Sequence, residues 1–127
     1  MINGVSNVGI EVDDQDRAKA FWIDRLGFEL VQDTPYSDDG GRWLEVRTPD
    51  KAVVMGLFPR TGAHPEPGDP RMANANIWFD CDDLQQTHAE LTARGVAFTQ
   101  PPVEMFFGWW SVFADTEGNT FALKQRA

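Results

Sequence analysis

Apolar and polar residues alternate along the first part of the chain. Residues 5–12 predict a strand whose polar face carries Asn7, Gly9 and Glu11. Apolar residues at helical spacing come next and predict a helix. The apolar stretches after this helix are separated by turn residues and predict further strands. The predicted order is a helix over residues 15–26 and strands over residues 28–35, 43–48 and 52–58, separated in part by a turn at 37–41. This half therefore reads β-α-β-β-β.

The second half repeats this plan after a proline-rich joint at residues 59–73. Asn7 aligns with Asn76 and Arg25 with Arg94, and each half passes from a strand through an acidic pair into a helix. The predicted elements are a strand at 76–81, a helix beginning near Leu84 and closed by Gly95, a short strand at 96–99 stopped by Pro101 and Pro102, and strands within 106–114 and 119–124.

A chain of two similar halves usually folds with internal pseudo-symmetry. We therefore predict an α+β fold of two β-α-β-β-β modules that form a cup-shaped mixed sheet, with the helices outside. With 127 residues the chain fits one domain, 1–127. Its predicted parts are module one at 1–58, the joint at 59–73 and module two at 74–127.

The composition limits which cellular compartment and which binding partners are expected. No apolar run approaches the roughly 20 residues that cross a bilayer, and the N-terminus lacks the pattern of a signal peptide. The single cysteine, Cys81, excludes an internal disulfide, so a cytoplasmic location is expected. The net charge of −9 argues against nucleic acid and anionic membranes as partners and favours cationic ligands.

Two phrases resemble a known family. The opening VDDQDRAKAFWIDRLGFEL and the closing FADTEGNTFAL are similar to the vicinal oxygen chelate superfamily, which includes glyoxalase I, extradiol dioxygenases and bleomycin-resistance proteins. The resemblance covers almost the whole chain. It implies two paired modules whose sheets curl into a cup with the active site inside. Whether one chain forms that cup or two chains exchange modules stays open, and a homodimer is expected.

The resemblance also implies four positions for metal ligands. The matching residues are Asn7, Gly56, Asn76 and Ala122. Zinc, nickel and iron prefer imidazole, carboxylate or thiolate donors, which none of these side chains supplies. Both histidines lie elsewhere, His64 in the joint and His88 on the second helix. We therefore predict no metal and no other cofactor.

Strand parity then selects the side chains that face the predicted cup. The predicted ligand-binding residues are Asn7, Gly9, Glu11, Trp43, Glu45, Asn76, Trp78, Asp80 and Trp110. Several have plainer interpretations: the two asparagines as a structural pair, Glu45 and Arg47 as a solvated surface pair, and Trp78 as core. No catalytic residue is identified.

These features favour a metal-free protein that binds a small molecule and resembles bleomycin-resistance proteins. Five Trp and nine Phe suit an aromatic ligand, and the negative charge suits a cationic one. One alternative is a metal-independent isomerase, lyase or transferase with Glu11, Glu45, Asp80 or His64 as general base. Others are a glyoxalase-like metalloenzyme with unusual ligands, and an interaction module whose cup is unused.

Overall fold

The computed structural model describes residues 1–36, 38, 40–66 and 68–127 and divides them into two compact units, Met1–Ala63 and His64–Ala127. Ser37 and Asp39 of the predicted turn at 37–41, and Pro67 of the predicted joint, lie outside the described residues. Each unit follows the order β-α-β-β-β. The α+β architecture of two such modules is confirmed. Among the described residues no helix is long and apolar enough to span a membrane.

The first unit places one helix on one face of a mixed sheet. Its sheet has the order β1-β4-β3-β2, with β1 parallel to β4 and the other pairs antiparallel. The elements are β1 at Val8–Val12, α1 at Gln15–Ala20, a π-helical turn at Phe21–Arg25, β2 at Glu29–Pro35, β3 at Arg42–Arg47 and β4 at Val54–Pro59.

Two features position α1. Asp14 caps the helix, since its Oδ1 accepts from the backbone N–H of Arg17 at 3.0 Å. The buried Gln15 side chain donates through Nε2 to the carbonyls of Arg42 and Leu57 at 2.7 and 2.9 Å, so it joins the helix to β3 and β4. The helix predicted over 15–26 is present to Arg25, but its second half is π-helical, and it ends before Gly27 at φ +76°.

The core of the first unit lies between this helical segment and the sheet. The alternate strand residues Leu44, Val46, Met55 and Leu57 are fully buried, as is Trp22 of the π-helical turn. Their neighbours along the strands therefore point to the opposite side, which carries none of the helices described in this unit. We call this side of each sheet the helix-free face.

An ion-pair network ties α1 to the strands. Asp33 accepts from Lys19 Nζ and from Arg42 Nε, both at 2.8 Å, and Asp16 also pairs with Arg42 at 2.8 Å. The hydrogen bond from Lys19, aided by Arg42, holds the pKa of Asp33 below its usual value. The ionised form of Asp33 is thus favoured in the folded state.

Asp33→Asn is expected to lower the free energy of unfolding at pH 7, by at most about 1 kcal/mol because the pair is partly solvated. A carboxyl group whose pKa is lower in the folded state than in the unfolded state stabilises the fold at pH values above its unfolded pKa. This stabilisation is lost as the pH falls through the folded-state pKa. The difference between variant and wild type should therefore shrink below about pH 4. Urea unfolding between pH 7 and pH 2.5 measures it. A difference that is independent of pH would contradict the assignment, and Asp16→Asn serves as the exposed control.

The second unit repeats the arrangement. Its sheet has the order β5-β8-β7-β6, and β5 runs parallel to β8. The elements are β5 at Trp78–Cys81, α2 at Leu84–Ala93, β6 at Ala97–Met105, β7 at Gly108–Ala114 and β8 at Thr120–Gln125. Asp83 caps α2 by accepting from the backbone N–H of Gln86 at 3.1 Å. The α2-facing side of the sheet buries Ser111, Phe113, Phe121 and Leu123.

The strand predicted to stop before Pro101 and Pro102 instead continues through both prolines. β6 runs to Met105, so this prediction is wrong. Two conditions allow it: β6 is an edge strand, and its register with β7 shifts between Gln100 and Val103. Proline is tolerated in strands at edges and irregularities, because no ladder hydrogen bond is lost there.

A polar turn joins β7 to β8. Asp115 Oδ1 accepts from the backbone N–H groups of Glu117 and Asn119, both at 2.8 Å, and Oδ2 accepts from Asn119 Nδ2 at 2.9 Å. Burial raises the pKa of Asp115 despite these bonds. Asn74 adds a hydrogen bond from its Nδ2 to the carbonyl of Gly118 at 3.1 Å, so the DTEGN phrase forms a turn that is held both by its own side chains and by the segment before β5.

Candidate functional site

On the helix-free face of the first unit, an aromatic ring covers Gly9 and Gly56, which we call the glycine floor. Gly9, Gly56 and Glu45 are direct register partners across β1, β4 and β3. The ring of Phe58 folds back over this row, so that a Cβ placed on Gly56 would lie 2.3 Å from ring carbons. The same ring would lie 3.4 Å from a Cβ on Gly9. Only glycine at position 56 accommodates this ring.

Phe58 also packs against Trp43, with ring centroids 4.8 Å apart. Trp43 is 40% exposed, so the pair forms an accessible aromatic surface. The sequence reasoning assigned Trp43 to this face but missed Phe58. The signal was present, because Phe58 follows Gly56 by two residues on the same strand and therefore shares its face.

Glu45 lies on this face and is only 9% exposed. Asn7 Nδ2 donates to Glu45 Oε2 at 3.1 Å. Arg47 turns away to pair with Glu29 at 3.5 Å. The interpretation of Glu45 and Arg47 as a solvated surface pair is wrong, because Glu45 is buried and bonds to Asn7, whereas Arg47 pairs with Glu29.

Glu11 stands at the exposed end of β1. Its Oε1 accepts from the Thr61 hydroxyl at 3.1 Å, and its Oε2 lies 3.8 Å from Arg60 NH1. Arg60 Nε also donates to Asp13 at 3.0 Å. Glu11 therefore belongs to a surface ion-pair group beside Gly9 and is not joined to the Asn7–Glu45 pair.

The helix-free face of the second unit carries a larger aromatic cluster. Trp78 lies 6.0 Å from Trp110 and 5.6 Å from Phe107, measured between ring centroids, and Phe107 contacts Phe106 at 5.1 Å. Trp78 is 53% exposed, whereas Trp110 is 6% exposed. We call Trp78, Phe107 and Trp110 the aromatic cluster. The sequence indicated both tryptophans but missed Phe107, which lies in the turn between β6 and β7.

Trp110 anchors this cluster in an apolar patch. It packs with Val112 and Ala122, and the half-buried Ala73 and Val103 pack against them. The indole Nε1 is buried and has no hydrogen-bond acceptor among the residues that the structure describes. The buried Trp110 therefore holds one side of the aromatic cluster in place, and Trp78 on the other side remains open to solvent.

The remaining predicted residues lie at the margin of this face. Asp80 pairs with Lys124 at 2.9 Å and lies 3.7 Å from Arg126. Asn76 is exposed and precedes β5, so the prediction of a strand from residue 76 is wrong by two residues. The equivalent Asn7 likewise precedes β1. Both asparagines end loops, because the pairing of β1 and β5 with their parallel neighbours begins only at Val8 and Trp78.

The metal that the resemblance implies does not fit the residues present. In the first unit the Phe58 ring covers position 56, and Asn7 is engaged by Glu45. In the second unit Ala122 is fully buried in the apolar patch. Within residues 1–36, 38, 40–66 and 68–127, no group of three or more His, Cys, Asp or Glu side chains could hold an ion. His88 instead packs edge-on against Phe98, with centroids 4.6 Å apart.

The repeated β-α-β-β-β order is the one that the vicinal oxygen chelate resemblance implies, and comparison with known proteins identifies the family. The chain belongs to the Glyoxalase/Bleomycin resistance protein/Dioxygenase superfamily, whose sequence model matches residues 4–123. It is 32% identical over 125 residues to the uncharacterized protein YetH of Bacillus subtilis, covering 98% of this chain and 100% of that protein.

Two solved structures are also similar. TnmS3, an antibiotic binding protein from Streptomyces sp. CB03234, is 31% identical with a TM-score of 0.79, over 99% of this chain and 98% of that one. A superfamily member from Sphaerobacter thermophilus is 28% identical with a TM-score of 0.80, over 98% of each chain.

Proposed function

We propose that this protein binds an aromatic small molecule on its helix-free faces without a metal ion, as a sequestering protein does. The observation that carries the proposal is the aromatic cluster of the second unit. A tryptophan that is about half exposed and backed by a buried tryptophan offers a fixed stacking surface. Exposed apolar clusters of this kind mark binding sites.

Further support comes from chemistry and from a relative. Stacking requires no nucleophile, general base or metal, and the positions that would hold a metal lack imidazole, carboxylate and thiolate donors. The net charge of −9 attracts cations, and a cationic ring over tryptophan gains about 0.5–2 kcal/mol per contact. The structure of TnmS3 is that of an antibiotic binding protein. We extend that class of ligand, an organic molecule held without reaction, to this chain as part of the proposal.

Trp78→Ala tests the proposal. It should weaken the binding of 9-aminoacridine about tenfold or more, because stacking on an aromatic side chain contributes roughly 1–3 kcal/mol. It should lower the free energy of unfolding by less than about 1 kcal/mol, since the side chain is half exposed. Calorimetric titration after treatment with EDTA measures affinity, and urea unfolding measures stability.

Trp109→Ala is the matched control, because Trp109 precedes Trp110 on β7 and faces the opposite side of the sheet. It should leave affinity within about twofold. An unchanged affinity in Trp78→Ala, or binding that EDTA abolishes, would reject the proposed function.

A further inference from the structure

The first unit carries a buried carboxylate that no cation neutralises. Glu45 is 9% exposed and lies on β3, which has a strand on each side. Throughout the described ranges Asn7 Nδ2 is the one hydrogen-bond donor to Glu45, and no Lys, Arg or His nitrogen pairs with it. Buried charges in proteins are normally paired with opposite charge, because an isolated ionised group is costly to desolvate.

The neighbouring cation is engaged elsewhere. Arg47 lies on the same strand and the same face but pairs with Glu29. Asn7 supplies a neutral donor to one oxygen of the carboxylate, and among the described residues no protein group pairs with the other oxygen. Asn7 therefore holds the carboxylate of Glu45 in a fixed position, and the second oxygen of that carboxylate can accept hydrogen bonds from a ligand.

An aromatic surface adjoins this carboxylate. Trp43 precedes Glu45 by two residues on the same face, and its ring packs against Phe58 over the glycine floor. A flat ligand lying on these rings would bring a ring substituent within reach of Glu45. The face thus combines a stacking surface with one negatively charged hydrogen-bond acceptor in a fixed position. This combination recognises a protonated aromatic amine.

We propose that Glu45, positioned by Asn7, selects ligands that carry a protonated amine or amidine on an aromatic ring system. The inference rests on the proposed function, since it assigns a class of ligand to the helix-free face of the first unit, one of the two faces that the proposal includes. Trp43 and Phe58 hold the ring, and Glu45 accepts hydrogen bonds from the cationic nitrogen. No bond is made or broken.

The experiment compares two flat probes of nearly equal size at pH 7.5: 9-aminoacridine, which is cationic, and acridine, which is neutral. The wild-type protein should bind the cation about tenfold or more tightly than the neutral probe, since hydrogen bonds between charged groups are stronger than neutral ones. Glu45→Gln keeps an oxygen that can accept from Asn7 but removes the charge. This variant should lose that preference while its affinity for acridine stays within about twofold.

Asp24→Asn is the matched control. It removes the same charge from the same unit, but from an exposed position on the π-helical turn, away from the face that carries Glu45. If it lowers the preference for the cation as far as Glu45→Gln does, general attraction to an acidic protein explains selectivity and the inference is overturned. Equal binding of both probes by wild type and Glu45→Gln overturns the inference and leaves the proposed function standing. Failure of both probes to bind the wild-type protein overturns the proposed function itself.

Discussion

Trp22→Ala is expected to lower the free energy of unfolding by about 3–5 kcal/mol, a large share of the roughly 5–15 kcal/mol that stabilises a domain. Trp22 is fully buried, and its ring contacts Phe21 and Phe28 at centroid distances of 5.5 and 5.0 Å. Truncation removes these contacts and leaves a cavity beneath the π-helical turn. Urea unfolding followed by circular dichroism measures the loss.

Trp43→Ala is the matched control, because it makes the same substitution in the same unit on the helix-free face. The loss of stability should stay below about 1 kcal/mol, since Trp43 is 40% exposed. Equal losses in the two variants would show that Trp43 belongs to the core. Its assignment to a binding surface would then be wrong.

Gly56→Ala is expected to cost about 1–3 kcal/mol of stability, although alanine normally suits a strand better than glycine. The added Cβ would lie 2.3 Å from the Phe58 ring, so the ring must move away from Trp43. Binding of 9-aminoacridine to the first unit should weaken in parallel. Gly9→Ala provides the control, because its Cβ would meet the same ring at 3.4 Å, an ordinary contact.

A double-mutant cycle identifies the cause. In a Phe58→Ala background, the cost of Gly56→Ala should fall below about 0.5 kcal/mol, because the ring that causes the clash is gone. If the stability costs of the two substitutions simply add in the double variant, the strain lies in the backbone of β4 and not in the contact with the ring. The glycine would then be needed for a reason other than the aromatic floor.

The sequence predicts the fold well because both halves carry strong periodic patterns. Alternation on the strands assigned Trp43 and Glu45 to the face opposite the buried Leu44 and Val46, and the structure places them there. The acidic pairs predicted the helix starts, where Asp14 and Asp83 act as caps. Local chemistry decides these features, so they can be read without tertiary information.

Features that depend on neighbours were harder to predict. The strand through Pro101 and Pro102 exists because β6 lies at the edge of its sheet in the described part of the chain, which the sequence does not reveal. The Phe58 ring over Gly56 depends on a side-chain rotamer that Trp43 stabilises. The burial of Glu45 depends on strands to either side. Each is a consequence of tertiary packing, and two of them shape the proposed ligand contacts.

The prolines of β6 also affect how the protein behaves at high concentration. An open sheet edge is a template on which another polypeptide can add, and such growth leads to aggregates. Neither Pro101 nor Pro102 carries an amide donor, so this edge strand offers fewer donors for pairing, and the register shift beside them distorts the strand further. Growth of fibrils from this edge of the second unit's sheet is thereby disfavoured, although the half-exposed Trp78 lies in the same unit.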